Sequence, residues 1–431
     1  MSVLRSTVTL LTMLALAAYR GVLARVNSFS PAARQFLAFS LLLSTAFAIF
    51  NLVFNLYMSA LGFSNDLIGV FNALPALALI GVGLPFAAMA DRIGYRVFLL
   101  GGGGLSALAS VVLSVAGAPL IAVVAAGTYA LGLTILVVLS GPLLAQISNE
   151  SERVALYAIN QSLAWVAALI GDLLGGGLPE LAAQATHSSS ASAGAIRAAF
   201  MAMSLLTILG LPLLLRLAGA SGLGPPAVVF PVRELFQVDV ARFARFLVPG
   251  LILGIGAGMY LNFLQLYLAQ RFGLTPGPIG LILAGGAALT AVVTLLAPRL
   301  GRRLGMGRAV GFMQVLGAPL VLALAFLMVL PIAVLIIYLR QLALNLQGPL
   351  SQAFGMEYVE PQQRARLATA QTVVVGVGLS GIGPLLSGFL QVHGGYQLAF
   401  SVSAAFYLLA GLTFLLLFGG LRLPSEGTAA R

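Results

Sequence analysis

The sequence predicts an all-α integral membrane protein of about twelve transmembrane helices in two pseudo-symmetric six-helix bundles, and three observations carry that reading. Of 431 residues, 60% are hydrophobic and 8% charged, against about 25% charged in a soluble domain; mean hydropathy is +1.06. The apolar runs are long and unbroken, which excludes the weak alternation of a membrane barrel and leaves helices that satisfy their own backbone groups. The two halves of the chain also repeat each other at a nearly constant offset.

Residues 1–34 read as an N-terminal cytoplasmic or interfacial segment. Within it TVTLLTMLALAA, behind Arg5, resembles a secretory apolar region but fits an uncleaved helix lying along the membrane surface. Apolar runs bounded by Arg, Pro, Gly or polar clusters then centre near Ser44, Ala78, Ala107, Gly132, Val166 and Leu206, placing an N-terminal bundle at 35–218. QATHSSSASAGA, 184–195, is a flexible polar connector between the fifth and sixth runs. GASGLGPPAVVFPVRELFQVDV breaks the hydropathy with glycines and prolines and makes 219–241 a cytoplasmic linker. Runs centred near Ile255, Ala287, Val321, Leu342, Leu379 and Tyr407 form a C-terminal bundle at 242–420, and 421–431 is a cytoplasmic tail.

The net charge is +11 and every one of the 22 basic residues is arginine. Arg92, Arg96, Arg153, Arg233, Arg242, Arg245, Arg302, Arg303, Arg308, Arg364 and Arg366 fall on one set of connections, whereas the other set holds chiefly Arg197 and Arg271. Positive residues stay inside, so both termini and the linker are expected in the cytoplasm of a multi-pass protein of the inner or plasma membrane. NES at 149–151 matches a glycosylation acceptor but falls on the cytoplasmic side. No clustered basic face suits nucleic acid. Without cysteine there is no disulfide or thiolate metal site.

A shift of 211 lays FNLVFNLYMSALGFS (50–64) on LNFLQLYLAQRFGLT (261–275), pairing Asn51 with Asn262 and Gly62 with Gly273, and lays ADRIG (90–94) on GRRLG (301–305). GPL at 141–143 matches GPL at 348–350, and IGDLLGG (170–176) matches IGPLLSG (382–388). On these matches Arg340 aligns with Leu133, and Asp172 with Pro384.

AAMADRIGYR, 87–96, resembles the loop signature of the major facilitator superfamily between spans 2 and 3: Asp91, Arg92, Gly94 and Arg96 match it, while Ala87 and Tyr95 depart from it. The resemblance implies that Asp91 and its basic neighbours form a cytoplasmic gate facing the start of span 11, near 366–370, with Arg303 echoing it in the second half. AALIGDLLGG, 167–176, partly matches a span 5 motif associated with efflux, with Ala167 for the first glycine and Asp172 for the proline. GTYALGLTILVVLSG in span 4 lacks the arginine often found in proton-coupled members, so proton-coupled drug efflux does not follow.

An ionised group at a helix centre costs on the order of 3 kcal/mol even on permissive scales, so each demands a partner or a purpose. Asp172 lies about eight residues from Glu180 and Arg340 about nine from Pro331, which puts both about 12 to 14 Å below the outer surface. They are expected to pair across the halves or to share one cavity, as coupling or ion-binding candidates. Gln161, Trp165, Ala168 and Asp172 form one helical stripe. Asn51 and Asn55 in span 1, Asn262 and Gln265 in span 7, and Arg340, Gln341 and Asn345 in span 10 are the candidate substrate cavity.

His187 and His393 lie in loops far from any carboxylate cluster, so neither catalysis nor a metal centre is expected. LLGGGGLSA, 99–107, opens a membrane helix without a preceding strand and is a packing feature. The expected function is secondary active transport of a small organic solute by rocker-switch alternating access, as efflux of an amphipathic compound. The alternative is import or exchange of an anionic metabolite or lipid, with Arg340 binding the anion. A sensor or enzyme on this fold would need a catalytic cluster or soluble domain that the sequence lacks. The chain is expected to act as a monomer in the bilayer, with no cofactor and with a proton or sodium as coupling ion.

Overall fold

In the computed structural model, residues 26, 28–78, 89, 94–148, 150–218, 240–293, 301 and 304–421 are described. The expectations for residues 1–25, for 219–239 of the linker and for 422–431 of the tail lie outside them. The helices are α1 (Pro31–Ala60), α2 (Asn65–Ala78), α3 (Tyr95–Val115), α4 (Pro119–Ile147), α5 (Glu150–Thr186) and α6 (Ala193–Ala218), then α7 (Val240–Leu261), α8 (Leu264–Phe272), α9 (Pro276–Val293), α10 (Met306–Phe326), α11 (Leu330–Tyr358), α12 (Arg364–Val377) and α13 (Gly383–Phe418). A π turn, Gly378–Ile382, joins α12 to α13.

Among the described residues nine stretches are long and apolar enough to cross a bilayer. One of them, Arg366–Phe418, has 53 residues, far beyond the roughly 20 a crossing needs. It turns back at Gly394 and Gly395, whose φ/ψ of −146°/16° and 65°/−169° leave the helix. With α2 and α9 added, the chain makes about twelve crossings, α7 and α8 being one crossing interrupted at Asn262.

The starts of α1 and α7 and the end of α13 share one end of the molecule, the terminal end; the turns after α1, α5, α8 and α10 form the far end. Arginines at the terminal end cap neighbouring helices, donating to carbonyls that have no partner within their own helix. Arg153 reaches Ala145 O in the last turn of α4 (3.3 Å), Arg242 reaches Tyr358 O at the end of α11 (2.6 Å), and Arg308 reaches Gly419 O after α13 (2.8 Å). Three of the arginines that set the expected topology thus also tie helices together.

The repeat is physical. Gly62 and Gly273 take φ of 88° and 66°, and Gly94 and Gly305 take 98° and 81°, a left-handed region that only glycine enters freely. Tyr57 at the far end of α1 donates to Ala116 O after α3, and Tyr267 in α8 donates to Leu324 O in α10, both at 2.7 Å. One sequence register is corrected. The ends of α4 and α11 are 211 residues apart at both termini, so Arg340 stands where Tyr129 stands in the first half, not where Leu133 does. The two GPL strings are about one helical turn out of register, and one turn keeps a face, which is why they align so readily.

Burial follows a single pattern along the molecule. At the far end one hydrophobic core runs through both halves, from Leu52, Tyr57 and Phe200 to Phe263, Tyr267 and Phe400. At the terminal end the core divides, with Tyr95, Leu139, Leu143 and Leu214 in one half and Phe246, Leu350, Phe354 and Phe414 in the other. Among the described residues the two bundles share a core at the far end and have separate cores at the terminal end.

Candidate functional site at the seam between the halves

Two helix crossings close the seam, and glycine makes each possible. A Cβ on Gly69 of α2 would lie 2.5 Å from Pro384 O and 3.2 Å from Gly388 Cα in α13. A Cβ on Gly176 of α5 would lie 2.6 Å from Pro276 O and 3.0 Å from Gly280 Cα in α9, and one on Gly280 would strike the carbonyl oxygen of Asp172. Gly69 meets the Pro384 carbonyl as Gly280 meets that of Asp172, so the aligned pair Asp172 and Pro384 occupies equivalent places in the two seams.

Polar groups bind the same seams. In the α2 seam the amide of Asn72 donates to Asn55 Oδ1 (2.9 Å), Asn55 Nδ2 donates to the main-chain carbonyl of Asn262, and Asn262 Nδ2 donates to Leu379 O (2.8 Å) and Gly258 O (2.9 Å). This chain of amides runs from one half to the other through two interruptions of regular helix, the break between α7 and α8 and the π turn. Nearer the far surface Asn65 donates to Gln391 Oε1 (2.9 Å) and Gln270 Oε1 (3.2 Å), and Tyr396 donates to that same Gln270 oxygen (2.9 Å). In the α5 seam Glu180 accepts from the Gly277 amide (3.1 Å), placing a carboxylate on the N-terminus of α9, where the helix dipole favours it.

The faces of α5 can be assigned from its contacts. Val166, Ile170, Leu173 and Leu181 are exposed and apolar, as a lipid-facing stripe must be. Gly171 and Gly175 pack on Thr45, Ala48, Ile49 and Leu52 of α1, whereas Gly176 and Glu180 meet α9. Asp172 and Trp165 lie on that last face, on the turns just before the crossing, and both are half-buried. Gln161, further along the predicted stripe, is exposed. Among the described residues Asp172 is the one carboxylate set more than two turns inside a helix crossing, and it forms no ion pair with any of them. α5 runs on to Thr186, past the Glu180 that the sequence suggested as its end.

On the second half, Gln341 Nε2 and Asn345 Nδ2 of α11 each donate to Thr290 Oγ1 of α9 at 3.3 Å, and Tyr338 donates to Ile282 O at 3.0 Å. These side chains make a neutral polar edge along α9 and α11. Gln265 is half-buried with its Oε1 unpartnered. Asn51, expected beside Asn55, is exposed and donates to Phe47 O of its own helix (3.1 Å).

Arg340 is elsewhere, and the expected pairing with Asp172 is not made. Its side chain is 1% exposed inside the second bundle. Cζ lies 4.4 Å from the ring centre of Tyr260 in α7 and 5.2 Å from that of Tyr407 in α13, and Nη2 donates to the Tyr407 hydroxyl. Two cation–π contacts, each worth about 2 kcal/mol when desolvated, replace a carboxylate partner. In the first half Tyr129 holds the place of Arg340, and its ring lies 5.0 Å from that of Phe50. Equal depth put Arg340 beside Asp172 in the sequence reading, but α11 turns that residue toward α7 and α13 instead.

Of the predicted gate, Asp91, Arg92 and Arg303 lie outside the described residues. Gly94 starts α3 with positive φ and Arg96 is exposed in its first turn. The glycines of 99–107 let α3 pack closely on α4, where a Cβ on Gly102 would lie 3.1 Å from Gly132 O. No group of His, Asp or Glu among the described residues could hold a metal ion.

Sequence reasoning missed Asn65, Asn72, Gln270, Gln391 and Tyr396 as bridging residues. Their one signal is the spacing of Ser387 and Gln391, four apart and bonded at 2.8 Å, which marks a polar face of α13.

No curated protein matches the chain. Solved structures similar to it include a bacterial homologue of the human lysosomal transporter Spinster in an inward-facing, occupied conformation (TM-score 0.74, 14% identity, 90% of this chain and 96% of that one). The nucleoside transporter NupG is also similar (0.69, 13%, 90% and 99%), as is a bacterial homologue of the iron transporter ferroportin in an inward-facing state (0.69, 16%, 90% and 98%). At these identities the likeness concerns the fold. The sequence profile of the Major Facilitator Superfamily matches residues 36–381 and 250–431, and the chain belongs to that family.

Proposed function

We propose that the protein is a secondary active transporter that moves a small organic solute by rocker-switch alternating access, with export of an amphipathic compound as its working direction. The observation that carries this is the unequal joining of the bundles: one shared core and two crossings at the far end, two separate cores at the terminal end. Contacts of that kind can be exchanged for a complementary set when the bundles rock, which exposes a midplane site alternately. With the terminal end taken as cytoplasmic, a reading that the arginine distribution supports, the arrangement reads as inward-open, and two of the similar structures are described as inward-facing. Export is supported by the partial span 5 motif and by the scarcity of charge along the seam.

Reconstitution tests it. Proteoliposomes are loaded with a panel of cationic, anionic and neutral amphipathic compounds, and efflux is followed under imposed proton or sodium gradients. Gradient-driven movement of one class is the expected result. No movement of any compound under either gradient would remove the transport reading.

A further inference from the structure

The face of α5 that leads into the seam carries one acid and one large aromatic, and among the described residues neither side chain makes a hydrogen bond or ion pair. Gly176 and Glu180 fix the direction of this face by touching α9. Asp172 stands one turn before Gly176, and Trp165 about two turns before Asp172, roughly 10 Å along the axis. Both are half-buried, on the turns where the bundles separate.

A carboxylate at this depth costs on the order of 3 kcal/mol unless something offsets it. The guanidinium that could do so, Arg340, is enclosed by Tyr260 and Tyr407 in the other bundle. The nearby edge formed where α11 meets α9, with Tyr338, Gln341, Asn345 and Thr290, is polar but neutral and supplies no cation. The α5 face therefore presents one carboxylate with no cationic partner among the described residues and an indole on the same wall. An indole face is the aromatic surface that binds organic cations best.

We infer that the transported solute is an organic cation, its charge at Asp172 and its apolar or aromatic body along Trp165. This rests on the transport reading and adds the substrate class.

Trp165 is the chain's only tryptophan, so its emission reports this site alone. The experiment titrates the purified full-length protein with tetraphenylphosphonium and with tetraphenylborate, ions of nearly equal size and opposite charge. Saturable perturbation by the phosphonium, with the borate weaker by about tenfold or more, is expected of a desolvated charge pair. Asp172→Asn should lower phosphonium affinity by about tenfold, with Asp172→Glu recovering most of it. Equal binding of both ions, or unchanged phosphonium affinity in a folded Asp172→Asn protein, would overturn the assignment. The comparison of charges on the wild-type protein needs no variant and stands even where Asp172→Asn fails to fold. Counterflow in liposomes separates the two readings. Phosphonium bound but never moved would keep the cation site and remove the transporter; a neutral solute moved while phosphonium stays unbound would keep the transporter and remove the cation site.

Discussion

The side-chain amide of Asn55 in the first half donates to the main-chain carbonyl of Asn262 in the second, at the point where α7 gives way to α8. That carbonyl is available because the helix is interrupted there, and Asn55 Oδ1 is itself held by Asn72. One substitution therefore frees a seam without touching either bundle core. Amide bonds within membranes contribute about 1 kcal/mol, so Asn55→Ala should shift the balance between closed and open far ends by about fivefold. The chain has no cysteine, which allows spin labels at Ser188→Cys and Gln397→Cys without background. Their distance distribution should lengthen in Asn55→Ala, and an unchanged distribution would show that the amide chain is not a latch.

The glycine crossing allows a harder test of the same closure. A Cβ on Gly280 meets the Asp172 carbonyl, whereas one on Gly177 meets nothing within 4 Å. Gly280→Val should hold the α5 seam apart and slow exchange by more than tenfold, while Gly177→Ala leaves it intact. The same label pair reports the outcome. Equal behaviour of the two variants would mean that the crossing is not tight.

Glu180 holds the α5 seam by charge where Asn65 and Gln391 hold the α2 seam by neutral amides. A carboxylate at a helix N-terminus contributes about 0.5 to 1 kcal/mol. Glu180→Gln should open the far end two- to fivefold, and the effect should shrink as salt rises. The neutral α2 seam, tested by Gln391→Ala, should show no such salt dependence. Parallel salt titrations of the two variants, read by the same spin labels, decide the point.

Much of this architecture is legible in the sequence because it repeats. Gly62 with Gly273, and Gly94 with Gly305, align without gaps, and a backbone that enters positive φ twice demands glycine twice. The α5 face is legible in part through its helical period, since 3.6 residues per turn put Trp165 and Asp172 on one stripe, although Gln161 on that stripe is exposed. What periodicity cannot supply is the rotation of one helix against another. Arg340 and Asp172 share a depth, yet Arg340 points into its own bundle. Likewise Asn51 rather than Asn55 is the aligned partner of Asn262, but only Asn55 faces it. The helix break and the π turn, set by Gly254 and Gly258 packing on the backbone around Gly378 and Leu379, leave no periodic trace.

Whether Asp172 and Arg340 act together is decided by a double-mutant cycle. The structure puts Arg340 between Tyr260 and Tyr407, joined to Asp172 by neither hydrogen bond nor ion pair. Arg340→Gln removes the Tyr407 bond and both aromatic contacts, so it should lower the stability of the protein by about 2 to 4 kcal/mol. Asp172→Asn, half-buried on the seam, should leave stability nearly unchanged or raise it while weakening cation binding. Residues without shared partners add within about 0.5 kcal/mol. Thermal unfolding of the two single variants and the double variant in the same detergent gives the coupling directly. Additivity is the expected result; a coupling above about 1 kcal/mol would mean that the two charges meet in another conformation of the transport cycle.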